Sequence, residues 1–235
     1  MEKKFGPMMQ MAFVVNDFEE PINFWTKKMN IGPFFKLEHL NVKDVYYMDK
    51  PTELDFSVAI AYTGNMQIEL VNQHCDTPSI YNEYVNNEKG PLHHLCTLTN
   101  DIENDIRILE SQGYINLQGG KTQDDGKFAY LDTKEKEGPI LEIAQLSEAG
   151  LGFFDVMHEA SKNWDKNNLP QHGCDISVNV IPGNLHKISE CIDFSGGYFS
   201  NNFDRRHFES SLYVLSSSIN NKCFDSKGLM STDQS

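Results

Sequence analysis

The sequence is short of the features that mark secreted, membrane-spanning or nucleic-acid-binding chains. Its five cysteines, at 75, 96, 174, 191 and 223, form no CxxC pair and are odd in number, which excludes a complete disulfide framework and a cysteine zinc finger. No apolar run approaches the ~20 residues needed to cross a bilayer. The early run in MEKKFGPMMQMAFVVNDFEE is interrupted at Gln10, ends at Asn16 and Asp17, and is followed by no small-residue cleavage site. Positive charge is scarce: 20 Lys and Arg face 34 Asp and Glu, for a formal net charge of -14. Such a chain is repelled by phosphate backbones and anionic lipid surfaces, so neither nucleic acid nor membrane is expected as a partner. The expectation is a cytoplasmic protein acting on a small molecule, and 235 residues with 39% hydrophobic content suffice for a real core.

What is present is a repeated grammar. MMQMAFVV (8–15) suits a buried strand; Asp17 follows as an N-cap, with Glu20 in capping-box position and Ile22, Trp25 and Met29 as the buried stripe of a helix that stops at NIGP. LHHLCTLTN repeats the strand, Asp101 the cap, and Ile102, Ile106 and Leu109 the stripe, before Gly113 ends the helix. Asp17 follows Gln10 by the same seven positions that separate Asp101 from His94. Strand-like segments come next in each half, DFSVAIAYTG and MQIELVNQ, then KFAYLDT and GPILEIAQL, and the final ones carry Glu69 in IEL and Glu142 in LEI.

The expected fold class is therefore α+β: two βαβββ modules, about 7–75 and 90–146, paired into an open, cup-shaped mixed sheet over residues 7–146. Whether the modules pair within one chain or across a homodimer is left open by the sequence. Side chains alternate faces along a strand, so a pseudo-twofold pairing brings Gln10, Glu69, His94 and Glu142 into one cup. Two buried carboxylates without a cation cost several kcal/mol. The four form a mixed N/O set suited to one divalent ion, Zn, Mn, Co, Ni, Mg or Fe, with no thiolate for a closed structural zinc site. Glu142 or Glu69 is the candidate general base. His93 alternates away from His94 and is read as supporting or exposed; His39, His74 and Tyr81 are read as exposed loop residues. Gln67 is placed to orient Glu69, and Phe34, Phe35, Val58, Ile60 and Tyr62 to line the cup or to fill a core.

These residues and the segments IGPFF, QIELVNQ, PSIY, LHHLC and GPILEIAQ resemble the vicinal oxygen chelate superfamily, or glyoxalase/bleomycin-resistance fold, most closely its glyoxalase-like and methylmalonyl-CoA-epimerase-like members. The resemblance implies a metal on Gln10, Glu69, His94 and Glu142, and a lyase, isomerase or epimerase acting on a small carbonyl or acyl-thioester substrate. The ligand order is similar to that of eukaryotic lactoylglutathione lyase. Val14 and Gly90, however, stand where that enzyme grips glutathione with arginines, which argues against this substrate. The epimerase family's second catalytic glutamate falls near Ala59, which argues against a two-base reaction. Gln10 argues against the iron set of extradiol dioxygenases. A non-catalytic small-molecule binding protein and a metal-dependent dioxygenase stay as alternatives. Beyond the modules, 152–165 reads as a flanking amphipathic helix through Phe153, Val156, Met157 and Ala160, and 166–235 as an irregular Asn/Ser-rich extension.

Overall fold

The protein is described by a computed structural model for residues 6–86, 91–134, 138–162, 164 and 177–180. The first half runs β1 (Met8–Val14), α1 (Glu19–Asn23), β2 (Phe34–Leu37), β3 (Val42–Tyr47), β4 (Lys50–Pro51), β5 (Phe56–Thr63) and β6 (Met66–Gln73). Helix α2 (Ile80–Asn86) leads to β7 (Leu92–Leu98), α3 (Ile102–Ser111), β8 (Ile115–Thr122), β9 (Lys127–Asp132) and β10 (Ile140–Gln145). Helix α4 (Glu148–Lys162) and β11 (Ser177–Val180) follow. The strands form one sheet in the order β11-β2-β5-β6-β1-β7-β10-β9-β8-β3-β4. The two halves thus meet within one chain, at an antiparallel β1–β7 seam with the glutamate-bearing strands β6 and β10 parallel on either side.

The chain itself shows that this sheet curls. Strand β2 lies at one end of the modules' eight strands, yet β3, which begins five residues after Leu37, pairs with β8 at the other end. Five residues reach at most about 18 Å, so the ends must approach one another. The β3–β4 hairpin is an addition to the duplicated pattern.

Strand alternation sorts the side chains onto two faces. Outside, Ile22 of α1 packs with Phe34, Ala59, Ala61, Ile68 and Leu70, and Ile102 and Leu109 of α3 pack with Ala129, Leu131, Leu141 and Ile143. Inside, Phe35, Val58, Ile60, Tyr62, Val71 and Tyr130 form the lining, as expected of all the predicted lining residues except Phe34, which faces outward. Each fully buried aliphatic or aromatic side chain contributes roughly 1.5–3 kcal/mol, so both faces anchor the sheet.

The inner face is covered. Ile80 and Tyr81 of α2 and Met157 and Ala160 of α4 belong to the same buried cluster as the lining. Helix α4 begins at Glu148, ahead of the expected 152, and the residues expected beyond Lys162 lie largely outside the described ones. So does most of 166–235; within it Ser177–Val180 is a short strand parallel to β2, for which backbone pairing needs no apolar periodicity.

The cap of α3 falls where the sequence sets it, whereas α1 has Phe18 at its N-cap position, one residue after the expected Asp17. Asp17 accepts from the backbone N–H of Glu19 at 2.9 Å, and Asp101 from that of Asn104 at 3.2 Å. Helix α1 departs from the expected stripe. It widens into a π-helical turn over Phe24–Lys28, which rotates Thr26 inward to full burial and leaves Met29 51% exposed.

Gly119 faces Tyr46 across the β3–β8 pair, and a Cβ there would lie 2.5 Å from the Tyr46 hydroxyl and 2.7 Å from the Phe128 carbonyl. Gly119→Ala is expected to lower stability by about 1–3 kcal/mol, measured by urea denaturation. An unchanged midpoint would show that β3 is free to shift on β8.

Candidate metal centre

The seam strands each carry one extra residue. Opposite β7, strand β1 bulges between Met8 and Gln10, at Met9; opposite β1, strand β7 bulges between the partners of Ala12 and Phe13, at His93. Each bulge stands one residue before a predicted ligand, Gln10 or His94, so the duplication extends to this irregularity. A bulge breaks strict alternation and re-aims side chains. That is why His93 is fully buried and its Nδ1 lies 2.8 Å from Nδ1 of His94, instead of on the far face.

His94 lies between the two carboxylates. Its Nε2 is 3.3 Å from Glu69 Oε2 and 3.1 Å from Glu142 Oε2, and all three groups are buried. Neither contact has the alignment of a hydrogen bond, so Nε2 is a buried nitrogen without a hydrogen-bond partner. Gln10 is buried on the same sheet face but is tied elsewhere: its Nε2 donates to Gln67 Oε1 at 2.8 Å, and Gln67 Nε2 donates to the Tyr62 hydroxyl at 2.6 Å. Gln67 therefore orients Gln10, not Glu69 as the sequence suggested.

The ring nitrogens of the histidine pair can be assigned from their surroundings. His93 Nε2 lies 3.4 Å from the Ile80 carbonyl, which only accepts. With its proton on Nε2, His93 presents a lone pair at Nδ1, and His94 must donate to it from Nδ1. The variable position of His94 is then Nε2, the nitrogen between the carboxylates. One proton cannot bond two carboxylates well at once, whereas a cation can; the donor set fits a divalent ion.

Electrostatics follow from burial. Desolvation pulls His94 down, but Glu142 and Glu69 outweigh it and lift the imidazole to about 9. Burial pushes Glu69 above the usual carboxylate range, with Glu142 adding to the rise and His94 opposing it. Tyr81 and Tyr130 complete the wall. The Tyr81 hydroxyl donates to that of Tyr130 at 3.0 Å, the Tyr130 ring lies 5.1 Å from that of His94, and burial keeps both phenols protonated far above neutrality.

Sequence reasoning missed Tyr130, misplaced Tyr81, and turned His93 away from His94 while allowing it the supporting role that its contact with the His94 ring fits. Tyr81, expected in an exposed loop, is 2% exposed on α2. His93, expected as supporting or exposed, is the bulged partner of His94. The alternation of Phe128 and Tyr130 opposite Glu142 was the available signal for Tyr130. His39 and His74 are exposed, as expected.

A metal-free protein holds this site together with protons. His94 is raised in the folded state, so its stabilising contribution is complete below about 6.5, the unfolded value, and is lost as pH rises through about 9. The raised Glu69 acts in the same direction. Urea titrations of chelator-treated protein are expected to show stability falling between pH 6.5 and 9, and a shallower fall in His94→Gln, where only the buried carboxylates are left to titrate.

Residues 9–130, just over half of the chain, match the family model described as Glyoxalase/Bleomycin resistance protein/Dioxygenase superfamily. No curated protein matches. Among solved structures, the chain is similar to a hypothetical protein from Bacillus halodurans C-125, with 13% identity over 60% of this chain and 95% of that one and a TM-score of 0.45. It is also similar to a Streptomyces coelicolor methylmalonyl-CoA epimerase in complex with 2-nitronate-propionyl-CoA, at 11% identity over 62% and 97% with a TM-score of 0.44. A methylmalonyl-CoA epimerase from Mycobacterium tuberculosis follows at 15% identity over 60% and 87%, with a TM-score of 0.43. With two βαβββ units paired at a seam and the match spanning that seam, the chain belongs to the Glyoxalase/Bleomycin resistance protein/Dioxygenase superfamily, also known as the vicinal oxygen chelate superfamily.

Proposed function

We propose that this chain is a divalent-metal-dependent lyase, isomerase or epimerase of the glyoxalase-like type, acting on a small carbonyl or acyl-thioester substrate. The observation that carries the reading is the convergence of Glu69 and Glu142 on the unpartnered Nε2 of His94. Glu69, His94 and Glu142 would hold the ion through oxygen and nitrogen atoms, with the Gln10 amide oxygen as the fourth donor, since its nitrogen is already committed to Gln67. Bound there, a divalent ion supplies Lewis-acid polarisation of a substrate oxygen, which acidifies the neighbouring C–H.

The protein's own groups supply the rest. Glu69 or Glu142 serves as general base, and the upward push on Glu69 moves its carboxylate toward the basicity that proton abstraction at neutral pH requires. Tyr81 donates to Tyr130, which frees the Tyr130 hydroxyl hydrogen for an oxygen of the substrate. His93 fixes the His94 ring through Nδ1 and so keeps Nε2 as the ligand atom. Helices α2 and α4 shield the inner face from water.

The same cover favours a second reading, a small-molecule binding protein on this cup, because Met157 and Ala160 are packed where a substrate would lie. Solvent exchange separates the two. The enzyme reading expects a metal retained through dialysis, lost in His94→Ala, and deuterium uptake from D2O at the substrate's activated carbon, reduced at least 100-fold in the variant lacking the acting base, Glu142→Gln or Glu69→Gln. Metal retention without uptake across carbonyl and acyl-thioester panels would leave the binding reading. His93→Ala is expected to weaken metal affinity by about 10–100-fold, read by chelator competition; unchanged affinity would show that the histidine pair plays no part in holding the ligand.

A further inference from the structure

A second group of metal-ligating side chains lies apart from the seam, where the segment between β2 and β3 meets the ends of β5 and β6. His39 comes from that segment, Asp55 from the residue before β5 and His74 from the residue after β6. One ligand atom from each lies within 4.8 Å of the other two. His39 Nδ1 is 2.6 Å from Asp55 Oδ1, and the two imidazole rings are 4.8 Å apart between centroids.

This cluster has the support of a built site. Metal-binding histidines have their second ring nitrogen fixed by a hydrogen bond. His74 meets that condition: its Nε2 lies 2.6 Å from the hydroxyl of Ser57, which is 1% exposed, leaving Nδ1 for an ion. The same hydroxyl accepts from the backbone N–H of His39 at 3.0 Å, so one buried oxygen holds the His74 ring and the His39 backbone. His39 is held at φ 48°, a left-handed conformation uncommon for a residue with a Cβ. The His74 backbone N–H donates to the Asp55 carbonyl at 2.8 Å, which fixes the third ligand's residue against the second.

As a surface ion pair alone, His39 and Asp55 would contribute little, and nothing in that pairing needs His74 beside them. Two imidazoles and one carboxylate form the borderline N/O donor set preferred by zinc and its first-row neighbours over magnesium or calcium. Ser57 alternates with Val58 and Ile60, which line the inner face, so this cluster belongs to the opposite side of β5 from Glu69 and shares no ligand with the seam.

We propose that His39, Asp55 and His74 form a second, solvent-accessible site for a divalent first-row transition ion, zinc in the first instance, which clips the β2–β3 crossover to the β5 and β6 ends. That crossover is the segment that carries the chain from one end of the sheet to the other, so an ion here braces the closure of the cup. The proposal stands independently of the metal and activity proposed at the seam.

The test titrates zinc into the full, chelator-treated chain by calorimetry, with thermal melts alongside. In His94→Ala, which loses the seam ligand, one equivalent of zinc is expected to remain and to raise Tm, with no response to magnesium. Adding His39→Ala or His74→Ala, both exposed positions, is expected to weaken that binding at least tenfold and abolish the rise in Tm. Should His94→Ala fold poorly, the same two substitutions in the otherwise native chain are expected to lower zinc stoichiometry by one. Failure of the His94→Ala chain to bind zinc, or unchanged binding after His39→Ala and His74→Ala, would overturn the second site while leaving the seam reading to its own variants.

Discussion

The seam is organised around an electrostatic debt: two carboxylates and an imidazole buried together, away from water. Burying one unpaired carboxylate costs several kcal/mol, and two facing each other cost more. A positive charge between them is required, whether a proton on His94 or a bound cation. The raised imidazole and the raised Glu69 are two expressions of that one requirement. The pairing of the modules, the bulges and the covering helices all serve to hold these groups at the same point.

The bulges show how a sheet with period-two alternation can supply such a point. Met9 and His93 are inserted at separate points of the duplicated seam, Met9 against the Cys96–Thr97 step and His93 against the Ala12–Phe13 step, each immediately before Gln10 or His94. On the β7 side the inserted residue joins the hydrogen-bond chain: His93 passes the constraint of the Ile80 carbonyl on to the His94 ring. On the β1 side the insertion is a methionine, and the corresponding constraint on Gln10 comes from Gln67 and Tyr62. The duplication is thus symmetric in backbone and asymmetric in chemistry, giving one imidazole and one amide across the dyad.

The inner face has two competing uses. Apolar lining that could receive a substrate also receives Met157 and Ala160 of α4 and Tyr81 of α2. Their burial stabilises the fold by roughly the same transfer free energy that a ligand would gain in their place. An exposed cup lined by Val58, Ile60 and Tyr62 would be an aggregation liability. Helix α4, with Met157 and Ala160 in the same buried cluster, covers that apolar lining.

The duplicated strand–helix grammar, the Asp101 cap, and the placement of Gln10, Glu69, His94 and Glu142 at matched offsets were legible in the sequence, because each rests on local periodicity or on a repeated spacing. The burial of His93, the outward turn of Phe34, the π-helical turn that exposes Met29 and the strand at Ser177–Val180 were not. The bulge at His93 depends on which residue of β1 stands opposite, and the rotation within α1 on how its wider turn meets the sheet. The strand at 177 depends on a free edge at β2. In the same way, the assembly of Tyr81, Tyr130 and His93 around His94, and of His39, Asp55 and His74 around Ser57, joins residues distant in the chain. Local sequence sets which face a side chain prefers in a regular strand; only the pairing of strands decides where that regularity breaks and which distant groups then share a buried charge.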